Sequence, residues 1–469
     1  MTRMRLLLPV LFLLLAGCTM APRYQRPDAP VSDNWPTNAA NQVAGEASAQ
    51  VAADIPWRDF FVDPQLQALI EQALQNNRDL RVALLNIERY QAQYRIERSA
   101  LLPSINATGS GLSQRLAEDL SGTGQSQLVR QYSATLGASA YEFDLFGRVR
   151  SLKDQALQQY LATEQARRSV QISLIAQVAN GYLTLAADNE RLQLARETLA
   201  NQQDAYDLVK HRFDTGVASA LDLNQARTSV EAAKVDKARF TTLVAQDVNG
   251  LTLVVGAPLD VTKLPTELSA ELSALQGIPA GLPSTVLLER PDILAAEHRL
   301  LAANANIGAA RAAFFPRIAL TGTLGTGSDE LSGLFTSGSE TWMFAPQITL
   351  PIFTAGSNLA RLKVAKVDRD IAVAEYEKAI QTAFREVADS LAQSGTIDEQ
   401  LAAQQALTDA SSESYRISQA RYDKGVDSYL TVLDSQRALY AARQNLIGTR
   451  LTRLTSLVTM YKVFGGGSL

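Results

Sequence analysis

Few residues in this chain could do chemistry, and their types exclude most of it. Among 469 residues there are one cysteine, Cys18, and two histidines, His211 and His298. A single cysteine rules out a disulfide framework, a cysteine-based metal site and a Cys–His nucleophile pair. The sequence has no Ser/His/Asp order, no phosphate-binding glycine loop and no cluster of acids and histidines at ligand spacing. It therefore predicts no enzyme, no metal and no cofactor beyond what Cys18 itself carries. A net charge of −4 without any Lys/Arg block predicts no nucleic-acid partner.

The chemistry open to Cys18 is lipidation. Arg3 and Arg5 precede an apolar run from Leu6 to Leu15, too short to span a bilayer, and Leu15-Ala16-Gly17-Cys18 follows at once. That is the order of a lipoprotein signal peptide over residues 1–17, with Cys18 becoming the acylated (palmitate-bearing) first residue of the mature chain. Thr19 rather than Asp follows it, which in that system points to the outer membrane. From 18 to 62 the chain is rich in Pro, Asn, Ala and Gln, with Pro22, Pro27, Pro30 and Pro36, and reads as an extended lipid-anchored linker.

The rest of the chain is written twice. RFDTGVASALDLNQAR runs from Arg212 to Arg227, and RYDKGVDSYLTVLDSQR from Arg421 to Arg437. Gly216 and Gly425 stand where a helix ends in a left-handed cap, and Ser219 and Ser428 where the next begins. Each copy is a helix–turn–helix tip. Upstream, Asp292 to Gly322 aligns with Asp79 to Gly109 at constant offset, pairing Arg311 with Arg98 and Pro316 with Pro103. The two copies span 63–257 and 291–469, separated by a Pro/Gly-broken equatorial segment, 258–290. Each reads helix, β-hairpin, long helix, tip, helix.

The hairpins, 104–144 and 317–353, show period-two alternation. Ile105, Ala107 and Gly109 alternate with Asn106, Thr108 and Ser110; Tyr132, Ala134, Leu136, Ala138 and Ala140 alternate with Ser133, Thr135, Gly137 and Ser139. The second hairpin places Trp342, Phe344, Ile348, Leu350 and Ile352 on one face. Strands of about ten to twelve residues are the length of a membrane-spanning strand. Four strands cannot close a membrane barrel, which takes about eight at least, whereas three copies supply about twelve. Small Ser/Thr/Gly faces suit a water-filled lumen.

No proline occurs from Gly147 to Ala257. A helix from Gly147 to about Asp214 would be roughly 100 Å long at 1.5 Å per residue. Shorter helices, Arg78 to Leu102 and Ser219 to Val255, could meet end to end to match it. Val178, Gly181, Leu185, Asp188, Leu192, Ala195 and Leu199 form a heptad seam. A second seam holds Leu223, Ala226, Val230, Ala233, Lys237, Phe240, Val244, Asp247, Leu251 and Val254. A third, from Leu430 and Leu433 to Val458 and Tyr461, closes the chain. The expected fold class is an α+β membrane channel: a shared trimeric twelve-stranded β-barrel continued by a long periplasmic α-helical barrel. A lipid-anchored coiled-coil adaptor or scaffold shares the helices but does not need the hairpins.

These residues resemble a known family. The duplicated layout, with NNRDLRVA (Asn76 to Ala83), YEFDLFGR (Tyr141 to Arg148), RAAFFP (Arg311 to Pro316), LPIFTAGS (Leu350 to Ser357) and AIQTAFREVAD (Ala379 to Asp389), is similar to the outer-membrane factors. These are TolC-like exit ducts, and the lipobox points to their OprM-like lipoprotein branch. The resemblance implies a homotrimer in the outer membrane, a periplasmic adaptor, and an inner-membrane resistance–nodulation–division pump that drives export. It implies a periplasmic gate at Leu430, Asp434 and Arg437, three copies of Leu430 forming an apolar plug and three of Asp434 an acidic ring. Taken alone, Asp434 and Arg437 are an ordinary i,i+3 pair worth a few tenths of a kcal/mol. Tyr422, Asp427 and Asp222 are expected to lock the tip, although Ser219 to Asp222 is itself a capping-box pattern. The turns at Gly216-Val217 and Gly425-Val426 are the expected adaptor contacts, as the only exposed apolar points at that end.

Overall fold

The structure, a computed structural model, describes residues 19–36, 55–268 and 284–466. The signal segment, Cys18, and parts of the linker and the equatorial segment lie outside the described residues. In chain order the elements are α1 (Trp57–Phe60), α2 (Pro64–Asn76), α3 (Arg78–Ser99), β1 (Asn106–Leu116), β2 (Gln127–Phe143), α4 (Arg148–Asp214), α5 (Ala220–Val255), α6 (Pro291–Ala312), β3 (Arg317–Ser328), β4 (Glu340–Thr349), α7 (Ser357–Asp423) and α8 (Tyr429–Val463). Both halves follow the order read from the sequence. The long helices α4 and α7 are each 67 residues.

Three boundaries differ from expectation. The helix expected to reach Leu102 stops at Ser99, and Ala100, Leu101 and Leu102 tighten into i→i+3 bonds. Pro103 is the cause, because it disfavours helical backbone at the residue before it. The linker to residue 62 was expected to be extended throughout but contains α1, whose Trp57 and Phe60 are buried. The strand β2 is 17 residues, longer than a single membrane-crossing strand requires.

Contacts divide the chain into two compact units. The first takes the described residues up to Asp28, then Asn86–Glu164 and Ala295–Glu377. Its centre is an antiparallel four-stranded sheet in the order β1-β2-β3-β4, so both hairpins join through β2 and β3. The register sorts the faces into rows. Ala107, Leu136, Leu324 and Trp342 stand side by side across the four strands, and Thr108, Thr135, Gly325 and Thr341 form the next row on the opposite face. At the β2–β3 seam the backbones come too close for side chains. A Cβ on Gly137 would lie 2.1 Å from the Gly322 carbonyl oxygen, and one on Gly325 2.1 Å from that of Ala134.

The second unit takes the chain from Ala29 to Leu85, Gln165–Leu294 and Lys378 onward. Its apolar centre includes Leu66, Ile70, Leu183, Leu185 and Tyr461, each nearly sealed from solvent. Tyr461 stacks on Phe60 with centroids 4.0 Å apart and donates its hydroxyl to the Ile55 carbonyl at 2.6 Å. Among the described residues, α4 alone is apolar enough to cross a membrane, but 61% of the relevant stretch is buried, as in a core helix. The α4 seam holds as read, with Val178, Leu185, Asp188, Leu192 and Ala195 buried. The α5 seam needs one correction: Lys237 faces solvent. A 3.6-residue turn drifts against a seven-residue repeat, and the neighbouring Asp236 turns inward to accept the Tyr440 hydroxyl at 3.1 Å.

Helix ends meet as proposed, by the same device in both halves. Asn77 caps α3, accepting from Leu80 N at 2.9 Å, and its amide donates to the Val254 carbonyl at the end of α5 at 2.7 Å. At the matching place, Arg290 donates to the Val463 carbonyl at the end of α8 at 2.9 Å. Gly256 closes α5 at φ +76, where a Cβ would meet the Asn76 carbonyl oxygen at 2.6 Å.

Candidate functional site

The two tips are Schellman turns. After α4, Gly216 sits at φ +80 with its N–H on the Phe213 carbonyl at 2.9 Å, while Val217 N–H reaches the Arg212 carbonyl at 2.8 Å. After α7, Gly425 sits at φ +74 and bonds the Tyr422 carbonyl at 2.9 Å, while Val426 N–H reaches Arg421 at 2.9 Å. Each pattern satisfies carbonyls left open at a helix end. The turns are not the only exposed apolar points at that end. Val217 is 73% and Val426 61% exposed, but Leu221 at 66%, Leu430 at 47% and Phe213 at 38% join them.

Behind the turns lies a small core of Val209, Ala226, Tyr429, Val432 and Leu433, with Tyr206, Tyr415 and Tyr422 against it. Burial pushes the Tyr429 hydroxyl up to about 12. With Tyr429, Val432 and Leu433 turned inward, an adjoining, exposed side of α8 presents Leu430, Asp434 and Arg437. Their i, i+4, i+7 spacing makes one stripe, and all three are exposed. Arg437 lies 3.7 Å from Asp434, and both side chains are more than half exposed. That contact alone is weak, so the pair leaves the stripe free to meet another surface.

The expected locking residues divide. Tyr422 makes one tie between hairpins: Arg212 Nη1 on α4 donates to its hydroxyl at 2.6 Å, and the guanidinium stands 5.3 Å from its ring. Asp427 binds within its own turn, accepting both arms of Arg421 at 2.6 and 3.0 Å. That guanidinium holds the Asp427 carboxyl below the usual carboxylate range. Asp222 is engaged within its own helix start. It closes a capping box, accepting from Ser219 N at 3.0 Å while Ser219 Oγ accepts from Asp222 N at 3.1 Å. Ser428 occupies the matching N-cap position but its side chain caps no backbone N–H. Arg212 and Arg421 received no role from the sequence, although each opens its copy of the repeat; the repetition of that arginine was the available signal.

Further along the helices, Asp188 on α4 is buried beside Asp247 on α5. Burial first, then the Asp188 carboxylate, raise the Asp247 carboxyl to about 6, against the opposing charge of Arg191, which pairs with Asp188 at 2.7 Å. Both acids were legible as polar members of otherwise apolar seams. His298 Nδ1 lies 2.7 Å from Gln158 Oε1, and His211 is exposed. No group of acids, histidines or cysteines among the described residues could hold a metal.

The sheet, in the first unit, presents a surface of its own. Its apolar rows are open to the outside, with Leu136 57%, Leu324 68%, Trp342 77%, Phe344 62% and Ile348 69% exposed. An exposed apolar band opposite a Ser/Thr face is what a lipid-facing barrel strand presents. Ser110 and Ser133 share a hydroxyl contact at 2.7 Å on the polar face. A periplasmic scaffold has no use for such a band.

Comparison with known proteins agrees with this geometry. The profile of the outer membrane efflux protein family matches residues 69–257 and 282–466, one match per repeat. The antibiotic efflux pump outer membrane protein ArpC of Pseudomonas putida is 54% identical over all of this chain and 96% of its own length. The toluene efflux pump outer membrane protein TtgC of Pseudomonas putida is equally similar, at 54% over the same shares. The crystal structure of the open state of the Neisseria gonorrhoeae MtrE outer membrane channel superposes with a TM-score of 0.86 at 41% identity, covering 96% of this chain and 98% of that one.

Proposed function

Since this chain belongs to the outer membrane efflux protein family and is the outer-membrane exit duct of an efflux pump, we propose that three copies share one barrel, gated by the Leu430, Asp434 and Arg437 stripe. The observation that carries the gate is the stripe itself. An exposed leucine and an exposed aspartate stand side by side on α8, directly after the tip turn, beside the core of Val432 and Leu433 and outside it. Brought together about an axis, three leucines exclude water and three aspartates repel one another, so the closed tip is held by its neighbours' bonds and is easily biased open.

Sheet chemistry supports the shared barrel. Within one copy, β1 and β4 each have one unpaired edge among the described residues. An open edge in hydrocarbon costs several kcal/mol per unsatisfied group, and three copies close the ring with about twelve strands. Conduction is passive, with no catalytic step. The cargo is small molecules, in keeping with relatives named for antibiotic and toluene efflux. Cys18 carries the lipid. A periplasmic adaptor meets the Gly216-Val217 and Gly425-Val426 turns, and a proton-driven inner-membrane pump of the resistance–nodulation–division class supplies the energy. The test is single-channel conductance in planar bilayers. Leu430→Ala and Asp434→Ala should each raise it, and unchanged conductance in both overturns the gate assignment.

A further inference from the structure

The start of the described chain is bolted to the first unit. Arg311 Nη1 donates to the Met20 carbonyl at 3.0 Å, Asn304 donates to that of Pro22 at 2.8 Å, and Glu297 takes the Tyr24 hydroxyl at 2.8 Å and the Arg26 guanidinium. The segment lies flush on α6: a Cβ on Gly308 would come within 2.7 Å of Ala21 N. Thr19 shares a hydroxyl contact with Ser151 at 3.3 Å. Five residues near this chain start, Met20, Ala21, Pro22, Tyr24 and Arg26, are therefore held on one face of α6, and Thr19 on α4. Such fixing is more than a flexible tether needs.

Beside Thr19 opens an apolar groove of about 590 Å³, walled by Phe314, Phe315, Leu359 and Leu362, with Arg311 at its rim. Phe315 is stacked on Phe146 at 4.9 Å, so this wall is set before anything binds. Leu359 is 67% exposed and Phe315 42%. The groove is in the size range of small-ligand sites. The residue before Thr19 is Cys18, about 3.8 Å away from Cα to Cα by covalent geometry alone. We propose that this groove seats an acyl chain of the lipid on Cys18, so that the anchor packs on its own protein before it enters the bilayer. The inference rests on the reading of Cys18 as the lipidation site. Each methylene covered by these walls leaves water, and the Arg311 rim, committed to the Met20 carbonyl, fixes where the chain enters.

The test uses the full chain in native outer membranes from cells fed a palmitate analogue with a photoreactive diazirine and an alkyne handle. After irradiation, peptides bearing the handle are identified by mass spectrometry. The expected result is label on the Cys18 peptide, with crosslinks from it within the same chain to the peptides holding Phe314-Phe315 and Leu359-Leu362. Leu359→Ser, at an exposed position, should keep the acylation and lose most of the groove crosslink. A chain without label on Cys18 overturns the lipidation reading and the inference with it. Label on Cys18 with crosslinks only to phospholipid, or only to a second copy, overturns the groove while lipidation stands. Groove crosslinks that persist in Cys18→Ser, exported behind a non-lipoprotein leader, assign the groove to bulk lipid and also overturn it.

Discussion

Tyr422→Phe isolates the bond nearest the turns that ties the two tip hairpins together. The phenyl ring keeps its place 5.4 Å from Tyr429 and 5.3 Å from the Arg212 guanidinium; only the 2.6 Å bond from Arg212 Nη1 to the hydroxyl is lost. A hydrogen bond with one charged partner contributes roughly 1.5–3 kcal/mol net, and a half-buried one sits at the lower end. About 1.4 kcal/mol is tenfold in an equilibrium constant. If the bond exists only while the hairpins lie together, the variant raises the open-to-closed ratio about tenfold. The assay is open probability in planar bilayers, with apparent Tm in detergent as the control for folding. Arg212→Gln should open the tip at least as far, because it also removes the cation from the Tyr422 ring. The double variant should add little to the larger single effect, since both changes break the same contact. Unchanged open probability in both single variants, with the fold intact, refutes the idea that this bond holds the tip.

The other expectations concern stability. Gly256→Ala should cost about 2–4 kcal/mol, since it combines the left-handed penalty with a clash on the Asn76 carbonyl, whereas Gly425→Ala, with open space around its Cβ, should cost only about 1–2 kcal/mol; denaturant midpoints in detergent compare them. Asp247 has its folded pKa raised from 3.8 to about 6, so its contribution is fully present below about 3.8 and is lost as pH rises through about 6. Asp247→Asn should therefore stabilise the protein at pH 7.5 by on the order of 1 kcal/mol, with the gain vanishing near pH 4, and a pH-independent difference would refute the assignment. Arg290 is only 10% exposed and serves Asp292, Glu386 and the Val463 carbonyl, so Arg290→Ala should cost about 2–4 kcal/mol, more than the roughly 1–2 kcal/mol expected for Asn77→Ala at the matching junction.

Element order and the sheet faces were legible because they depend on local period. Alternation at Ile105 to Ser110 and Tyr132 to Ala140 fixes which side chains share a face, and the register then lines Ala107 with Leu136, Leu324 and Trp342. What stayed hidden was pairing at a distance. Nothing in the hairpins alone says that β2 meets β3, because that depends on two glycines, Gly137 and Gly325, facing bare backbone 2.1 Å from where a Cβ would stand. The same limit applies at the tip. The capping box of Asp222 spans three residues and was readable, whereas Arg212 and Tyr422 are 210 residues apart. Lys237 was misassigned for a third reason: a seam counted in sevens slips off a helix that turns in 3.6.

Duplication supplies the architecture, and the departures from it mark where function can reside. In the first copy, Ser219 and Asp222 satisfy each other, and the acid of that turn is spent on the cap. In the second copy the matching position is Thr431. Its N–H is left to the Ser428 carbonyl at 3.2 Å, and Ser428 Oγ only faces the threonine hydroxyl at 3.4 Å. An N-cap without its side-chain bond forgoes about 1 kcal/mol of helix stability, so α8 begins less firmly than α5. One turn on, α8 carries Asp434, whose carboxylate no cap consumes and which points outward with Leu430. The first copy has a leucine at the matching place too, Leu221 at 66% exposed, but Gln225 where α8 has its aspartate. Both tips therefore expose an apolar residue, while the second sets an exposed carboxylate one turn beyond it. A ring that must hold against its own repulsion yet yield to a partner is better built from the tip that is less firmly capped.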